Sequence, residues 1–294
     1  MQMQSMAKIS VVVTNYNKSK YIKDTLISII NNVFQNFEII IVDDCSIDNS
    51  ITIINDFIKE NPCININLIE NTKNMGAGWS RRIGIEHAQG EWISLIDADD
   101  WIDPDYFKTL LKYQEKNSAD IVLSRFIYEE SNASRKDSFH YSKEIILQDK
   151  YIMINNITLL GLDCLSPALI KATLFKKIGG YCPARFVEDT PTFLAMFPFI
   201  NSLHIVPYFG YHYRQISESL MHNHNDNEYL IAKMYNCIDA IEFVKSVDIE
   251  LGNYVQLQIT QLFKQKSHFL QNVSSSSYSQ NNIETIKQYY QLDF

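Results

Sequence analysis

No apolar run in this 294-residue chain approaches the roughly 18 to 20 residues that a membrane-spanning helix requires. The opening MQMQSMAKIS holds one lysine and no apolar segment, so it does not read as a secretory signal, and Met6 is an alternative natural start. Basic charge is scarce as well. The 26 Lys and Arg stand against 34 Asp and Glu, a formal charge of −8, which argues against a dedicated nucleic-acid binder. The five cysteines (Cys45, Cys63, Cys164, Cys182 and Cys237) are scattered and form no C-x-x-C pair. That usage argues against a zinc site or a disulfide framework and fits reduced thiols in the cytoplasm. Glycine is missing where many nucleotide sites need it. Neither G-x-G-x-x-G nor G-x-x-x-x-G-K-[ST] follows the first apolar run, and GAG at 76–78 reads only as a flexible helix entry.

What is present is an alternation of two periods. With 46% hydrophobic residues the chain can fill a core. KISVVVT (8–14), FEIIIVDD (37–44), NINLIEN (65–71), EWISLIDADD (91–100) and DIVLSRF (120–126) read as strands. Between them, YIKDTLISIINNVF, SIDNSITIINDFIKE, GWSRRIGIEHAQ and PDYFKTLLKYQEKN have helical spacing, with Ser46 as the N-cap of the second helix and Pro104 near the start of the fourth. Apolar strands spaced by helices predict an α/β fold with a mainly parallel sheet covered on both faces. EESNASRKDSFHYSK (129–143) reads as an exposed loop or hairpin. From about residue 225 the sequence reads as helices, interrupted by the low-complexity VSSSSYSQNN. The expected division is an α/β domain at 1–224 and a helical C-terminal region at 225–294.

In an open parallel sheet, ligands bind beyond the carboxyl ends of the strands. Four predicted strands deliver polar residues there: Thr14–Asn15–Tyr16, Asp43–Asp44, Asn71 to Asn74, and Asp97–Asp99–Asp100. In ISLIDADDW (93–101) an apolar strand runs into three carboxylates with no lysine beside them, so a counter-charge must come from elsewhere. If the strand stays extended, Asp97 and Asp99 project from one face. Hard carboxylate oxygens of this kind suit Mg2+ or Mn2+. A solvated turn is the alternative.

SVVVTNYNKSKYI, FEIIIVDDCSIDNS, NMGAGWSRRIGIEHAQGEWISLIDADD and VEDTPTF, in that order, resemble a bacterial, non-processive family 2 glycosyltransferase of GT-A fold. The resemblance covers residues 8–130 and, more loosely, 160–222. It implies a nucleotide-diphosphate sugar donor, a UDP-hexose or UDP-N-acetylhexosamine, and a hydroxyl on a glycan or lipid-linked glycan as acceptor. It places Thr14, Asn15, Tyr16 and Asp44 at the nucleoside, and Asp97 and Asp99 as the D-x-D pair at ribose and metal. Arg81 falls on a family arginine, and Arg82 replaces the usual asparagine; a surface pair with Glu86 is its other reading. Asp189 is the implied general base, with Glu188 orienting it, although an acid pair at a helix start is also favoured by the macrodipole. YHYRQISESLMHNH (211–224) resembles the segment that ends the catalytic domain, with Arg214, alongside His212, as part of a lid over the diphosphate. His222 and His224 suggest a metal clip but lack a third ligand.

The resemblance also implies polysaccharide synthesis at the inner membrane face, with peripheral membrane contact and a homodimer both compatible. Three rivals stand beside it: a nucleotidyltransferase, a catalytically silent nucleotide- or glycan-binding scaffold, and a processive synthase. The first lacks its glycine-rich loop, and the last lacks Q-x-x-R-W and membrane spans.

Overall fold

The computed structural model describes residues 8–130, 133–136, 143–156, 164–185, 187–216, 226–266 and 280–292. The first half alternates as the periodicity predicts: β1 (Ile9–Asn15), α1 (Ile22–Ile30), β2 (Phe37–Asp43), α2 (Ser50–Glu60), β3 (Ile66–Glu70), α3 (Ala77–His87), β4 (Trp92–Asp97). There follow β5 (Trp101–Ile102), α4 (Tyr106–Asn117), β6 (Ile121–Leu123), β7 (Phe126–Glu130), β8 (Ala133–Lys136), β9 (Ile145–Leu147), α5 (Lys150–Asn156), β10 (Ala168–Lys171), α6 (Ala172–Lys177) and α7 (Asp189–Met196). The remainder is β11 (Leu203–Ile205), β12 (Tyr211–Arg214), α8 (Asp226–Val247), α9 (Ile249–Lys266) and α10 (Gln280–Tyr290).

Eight strands form the main sheet in the order β3-β2-β1-β4-β10-β6-β11-β9. The half that the sequence predicts, β3 to β4, is all parallel, and β10 then enters antiparallel to both β4 and β6. Alternation along β1 shows why the runs looked continuously apolar. Ile9, Val11 and Val13 pack with Ile22, Leu26, Phe107 and Leu110 on one face, while Val12 packs with Ile93 and Leu95 on the other. Both faces are buried, so apolar residues recur without clean alternation, and the buried Ser10 and Glu38 hydrogen-bond to each other between β1 and β2. A smaller sheet, β5-β12-β7-β8, includes the hairpin predicted at 129–143.

One local expectation fails. The N-cap of α2 is Asn49, without a side-chain cap hydrogen bond. Ser46 instead donates through Oγ to Asp43 Oδ1 at 2.6 Å, because the loop after β2 folds back before the helix starts. The C-terminal region is helical, as expected, and packs on the sheet's core. Ile231, Met234, Ile241 and Val244 of α8, Val255 and Phe263 of α9 and Tyr290 of α10 belong to the same core as Leu95, Phe193 and Leu203. Tyr290 also donates its hydroxyl to the Met234 carbonyl at 2.9 Å, tying α10 to α8. Residues 273–279 of the low-complexity stretch lie outside the described residues, as do His222 and His224, while its last three residues begin α10.

Because the core is shared, truncation after residue 224 should abolish soluble, cooperatively folded protein, measured by soluble yield and thermal melting. Ile241→Ala should cost about 2–5 kcal/mol through the cavity it leaves, read from denaturant unfolding. A truncated chain that melts like the full one would show that the helices are dispensable to the core.

Candidate active site

The parallel strands end on one edge, and their register sets which side chains meet there. Thr14 lies opposite Asp97, and Asn15 opposite Asp43. Thr14 Oγ1 donates to Asp97 Oδ1 at 3.2 Å. Asn15 is buried, and its Nδ2 donates to Asp43 Oδ1 at 2.6 Å and to Ser46 Oγ at 3.1 Å. Tyr16 is 42% exposed, which excludes a core role and leaves its ring open at the mouth of the edge. Asp44 is buried and accepts from Asn71 Nδ2 at 2.8 Å, Met75 N at 2.9 Å and Gly76 N at 2.7 Å. It thereby fixes the loop that leads into α3.

The acidic stretch does not stay extended. β4 ends at Asp97, and Asp100 N donates to the Asp97 carbonyl at 3.0 Å, so Ala98 and Asp99 form a turn. The single-face argument for Asp97 and Asp99 therefore fails, because three adjacent carboxylates separate better on a turn than along a strand. Each acid has its own partner. Asp97 Oδ1 pairs with Arg81 Nη2 at 2.8 Å, and Asp99 Oδ2 with Lys18 Nζ at 2.6 Å. Asp100 is fully buried and accepts from the Tyr211 hydroxyl at 2.8 Å and from Arg214 N at 2.9 Å. Burial first, and then Asp99 and Asp97, hold Asp100 well above the usual carboxylate range. Burial also raises Asp99, against Lys18 and with Asp97. Much of the counter-charge that ISLIDADDW demands is thus within the chain, at lysine and arginine residues distant in sequence. A cation still suits the turn, since two carboxylates of hard oxygen donors repel each other there. Among the described residues no three His, Cys, Asp or Glu side chains converge as a ready cation cage, so the protein would supply only part of a coordination shell.

Arg81 is the centre of the site. It is 6% exposed, on the inward face of α3. Besides Asp97, its Nη1 donates to Glu188 Oε1 and, at 3.4 Å, to Asp189 Oδ1. Helix α3 can deliver it there because Gly78 lets the helix lie against the segment before α7. A Cβ at position 78 would stand 2.3 Å from the Ala184 carbonyl oxygen. Three carboxylates around one guanidinium leave an excess of buried negative charge. Its effect falls on Glu188, which burial pushes up to about 7, Arg81 opposing and Asp189 adding to the rise. The structure brings Asp97, Arg81, Glu188 and Asp189 together.

The remaining sequence candidates sit apart from this cluster. Arg82 pairs with Glu86 at 3.1 Å, one turn along α3, as its surface reading had it. Arg214 is the last residue of β12. Its Nε donates to the Asp99 carbonyl at 2.7 Å, and its guanidinium carbon lies 4.5 Å from the centre of the Trp101 ring and 4.9 Å from that of Tyr21. His212 stacks on Trp101 at 5.0 Å and bridges Glu129 and Asp103 at 2.7 and 3.0 Å. Sequence reasoning missed Lys18, Tyr181 and Tyr211. Lys18 and Tyr211 lie inside quoted segments, but only pairing across the fold gives them a carboxylate.

The raised Glu188 sets a sign. A carboxyl whose folded-state affinity for protons exceeds its unfolded one stabilises the fold fully below about pH 4.5, and that contribution is lost as pH rises through about 7. The melting temperature of Glu188→Gln minus that of the wild type should therefore rise across that window. Arg81→Met, which strands the buried Glu188 carboxyl and leaves the half-buried Asp97 and Asp189 without their cation, should cost about 3–5 kcal/mol. A pH-independent difference for Glu188→Gln would show that this carboxyl is not held neutral.

Comparison with known proteins gives this geometry a family. The Glycosyl transferase family 2 profile matches residues 10–179, more than half of the chain. Glycosyltransferase GlyG of Streptococcus pneumoniae is 35% identical over 127 residues, 43% of this chain and 42% of that protein. Poly(ribitol-phosphate) beta-N-acetylglucosaminyltransferase TarS of Staphylococcus aureus is 31% identical over 120 residues, 40% of this chain and 21% of that one. These matches span less than half the length of either relative. In structure, S. aureus TarS 1–349 in complex with UDP-GlcNAc superposes with a TM-score of 0.76 at 18% identity, over 96% of this chain and 81% of that one. Mannosyltransferase PcManGT from Pyrobaculum calidifontis, in complex with GDP-Man and Mn2+, gives 0.57 at 13% identity, over 97% and 80%. The fold is the GT-A arrangement of a mostly parallel sheet between helices, and the chain belongs to glycosyl transferase family 2.

Proposed function

We propose that the chain moves a hexose or N-acetylhexosamine from a UDP donor, with inversion, to a hydroxyl of a growing surface glycan. The observation that carries this reading is the single buried guanidinium joining Asp97, at the end of β4, to Glu188 and Asp189 at the start of α7. A donor-side acid and a candidate proton acceptor thereby meet on one side chain. The UDP-GlcNAc and UDP complexes of TarS and the GDP-Man and Mn2+ complex of PcManGT support a nucleotide-sugar donor and a divalent ion.

On this reading Thr14 and the exposed Tyr16 line the nucleoside site, and Asn15 holds their loop through Asp43. Asp44 has three donors on about four acceptor positions, so it keeps room for an N–H of the uracil ring. Arg81 keeps Asp97 aligned. Mg2+ or Mn2+, held by Asp97 and Asp99, would stabilise the departing diphosphate. Arg214, fixed by its Nε at the acidic turn, would turn its terminal nitrogens to the phosphates. Asp189 then takes the acceptor's proton. As the acceptor oxygen bonds to the anomeric carbon, its O–H electron pair becomes the new bond's, and the bond to the diphosphate breaks with its pair leaving on phosphate oxygen. Glu188 braces Asp189 through Arg81. No helix among the described residues is long and apolar enough to cross a membrane, so a lipid-linked acceptor would be met by peripheral contact.

Two substitutions separate binding from chemistry. Asp99→Asn should weaken UDP binding in Mn2+ by about tenfold or more, by loss of a charged ligand, measured by titration calorimetry. Asp189→Asn should leave that binding intact and lower transfer about a hundredfold, with Glu188→Gln costing less. The sugar in the product should have the anomeric configuration opposite to the donor's, read by NMR. UDP binding without turnover of any UDP-sugar in a panel would favour the silent scaffold, and a retained configuration would reject the single displacement.

A further inference from the structure

The segment between α6 and α7 places a phenol on the proposed base. Gly179 and Gly180 have φ of 77° and 104°, a left-handed path that side chains disfavour, and they turn the chain so that Tyr181 enters the interior. Its ring is fully buried and stacks on Phe175, the centroids 6.0 Å apart. The guanidinium carbon of Arg81 lies 5.7 Å from the ring centre. The hydroxyl of Tyr181 donates to Asp189 Oδ1, the oxygen that Arg81 also reaches, while the main-chain N–H of Leu165 donates to Oδ2 at 3.1 Å. Burial, and then the carboxylate it faces, keep the Tyr181 hydroxyl protonated far above its usual range, so it is always a donor.

Three donors from three separate segments fix the plane of this carboxylate. About one of its four acceptor positions is left for an incoming hydroxyl. We propose that Tyr181 is a positioning residue for proton transfer, its hydroxyl orienting Asp189 and stabilising the ionised carboxylate that must accept the proton. The proposal rests on Asp189 as the base. The charged and titratable groups around Asp189 are Arg81 on α3, with Asp97 behind it, Glu188 at its side, Tyr181, and the Cys164 thiol, which burial keeps neutral. Tyr181→Phe removes one oxygen atom from this set and no charge.

The test needs no turnover. In protein labelled with 13C at aspartate carboxyls, the Asp189 resonance is the one lost in Asp189→Asn. Tyr181→Phe should move its titration midpoint up by about one pH unit, the scale of losing a hydrogen bond to the charged form. Fluorotyrosine at 181, a stronger donor of nearly the same shape, should move it down. UDP affinity should not change in either protein. In hydrolysis of whichever of UDP-N-acetylglucosamine, UDP-N-acetylgalactosamine, UDP-glucose and UDP-galactose the wild type cleaves fastest, Tyr181→Phe should lower kcat about tenfold, leave KM unchanged and shift the acidic limb upward. Midpoints that do not move in either protein overturn the role of Tyr181, whatever Asp189→Asn does. An Asp189→Asn enzyme that still turns over overturns the base assignment itself, a separate failure.

Discussion

The site depends on a guanidinium that has left water to serve three carboxylates. Removing Arg81 and Glu188 from solvent is costly, and the half-buried Asp97 and Asp189 help to offset that cost at the guanidinium. Their mutual attraction fixes the distance between α3, the end of β4 and the start of α7, three elements that the sheet alone would hold only through apolar packing. The balance is incomplete by design of the composition: one cation against three anions. The excess shows as the proton that Glu188 retains near neutrality.

The acidic turn solves a related problem by a different route. Among the described residues the Asp100 oxygens meet no cation and accept from the Tyr211 hydroxyl and the Arg214 main-chain N–H, both from β12 of the small sheet. That strand comes from far along the chain and pairs with β5 directly after the turn. The small sheet is therefore a brace: it holds the turn closed from the side away from Arg81, and Lys18 holds Asp99 from the loop after β1. Asp97, Asp99 and Asp100 are each restrained by a different part of the fold.

What could be read in advance follows from which forces are local. The runs SVVVT, EIIIV and WISLI specify strands by themselves, since β-branched and apolar residues buried on both faces leave one assignment. The edge on which their polar ends gather followed from parallel order. Arg82 took its local partner Glu86, one of its two readings from the sequence. Local reasoning failed where a side chain had two partners to choose from: Ser46 took the Asp43 carboxylate over the helix N-terminus. The turn at Ala98–Asp99 was hidden for the same reason: the partners that make it favourable, Lys18, Tyr211 and Arg214, are all remote. So was the antiparallel β10, whose short ALIK carries no mark of direction. The C-terminal helices were legible as helices, yet their apolar residues do not say which surface covers them.

One consequence of the Arg81 cluster concerns inheritance. The pair Arg81 and Glu188 is separated by 107 positions, with the family match ending at 179, between them. A guanidinium on one side and its carboxylates on the other are a single electrostatic unit encoded in two places. A change of charge at 81 is tolerable only with a compensating change at 97, 188 or 189. Recombination between diverged relatives at any crossover from 98 to 187 would part the arginine and Asp97 from the acid pair. These four positions should therefore drift together or not at all, while Arg82 next door is free to vary with Glu86 alone.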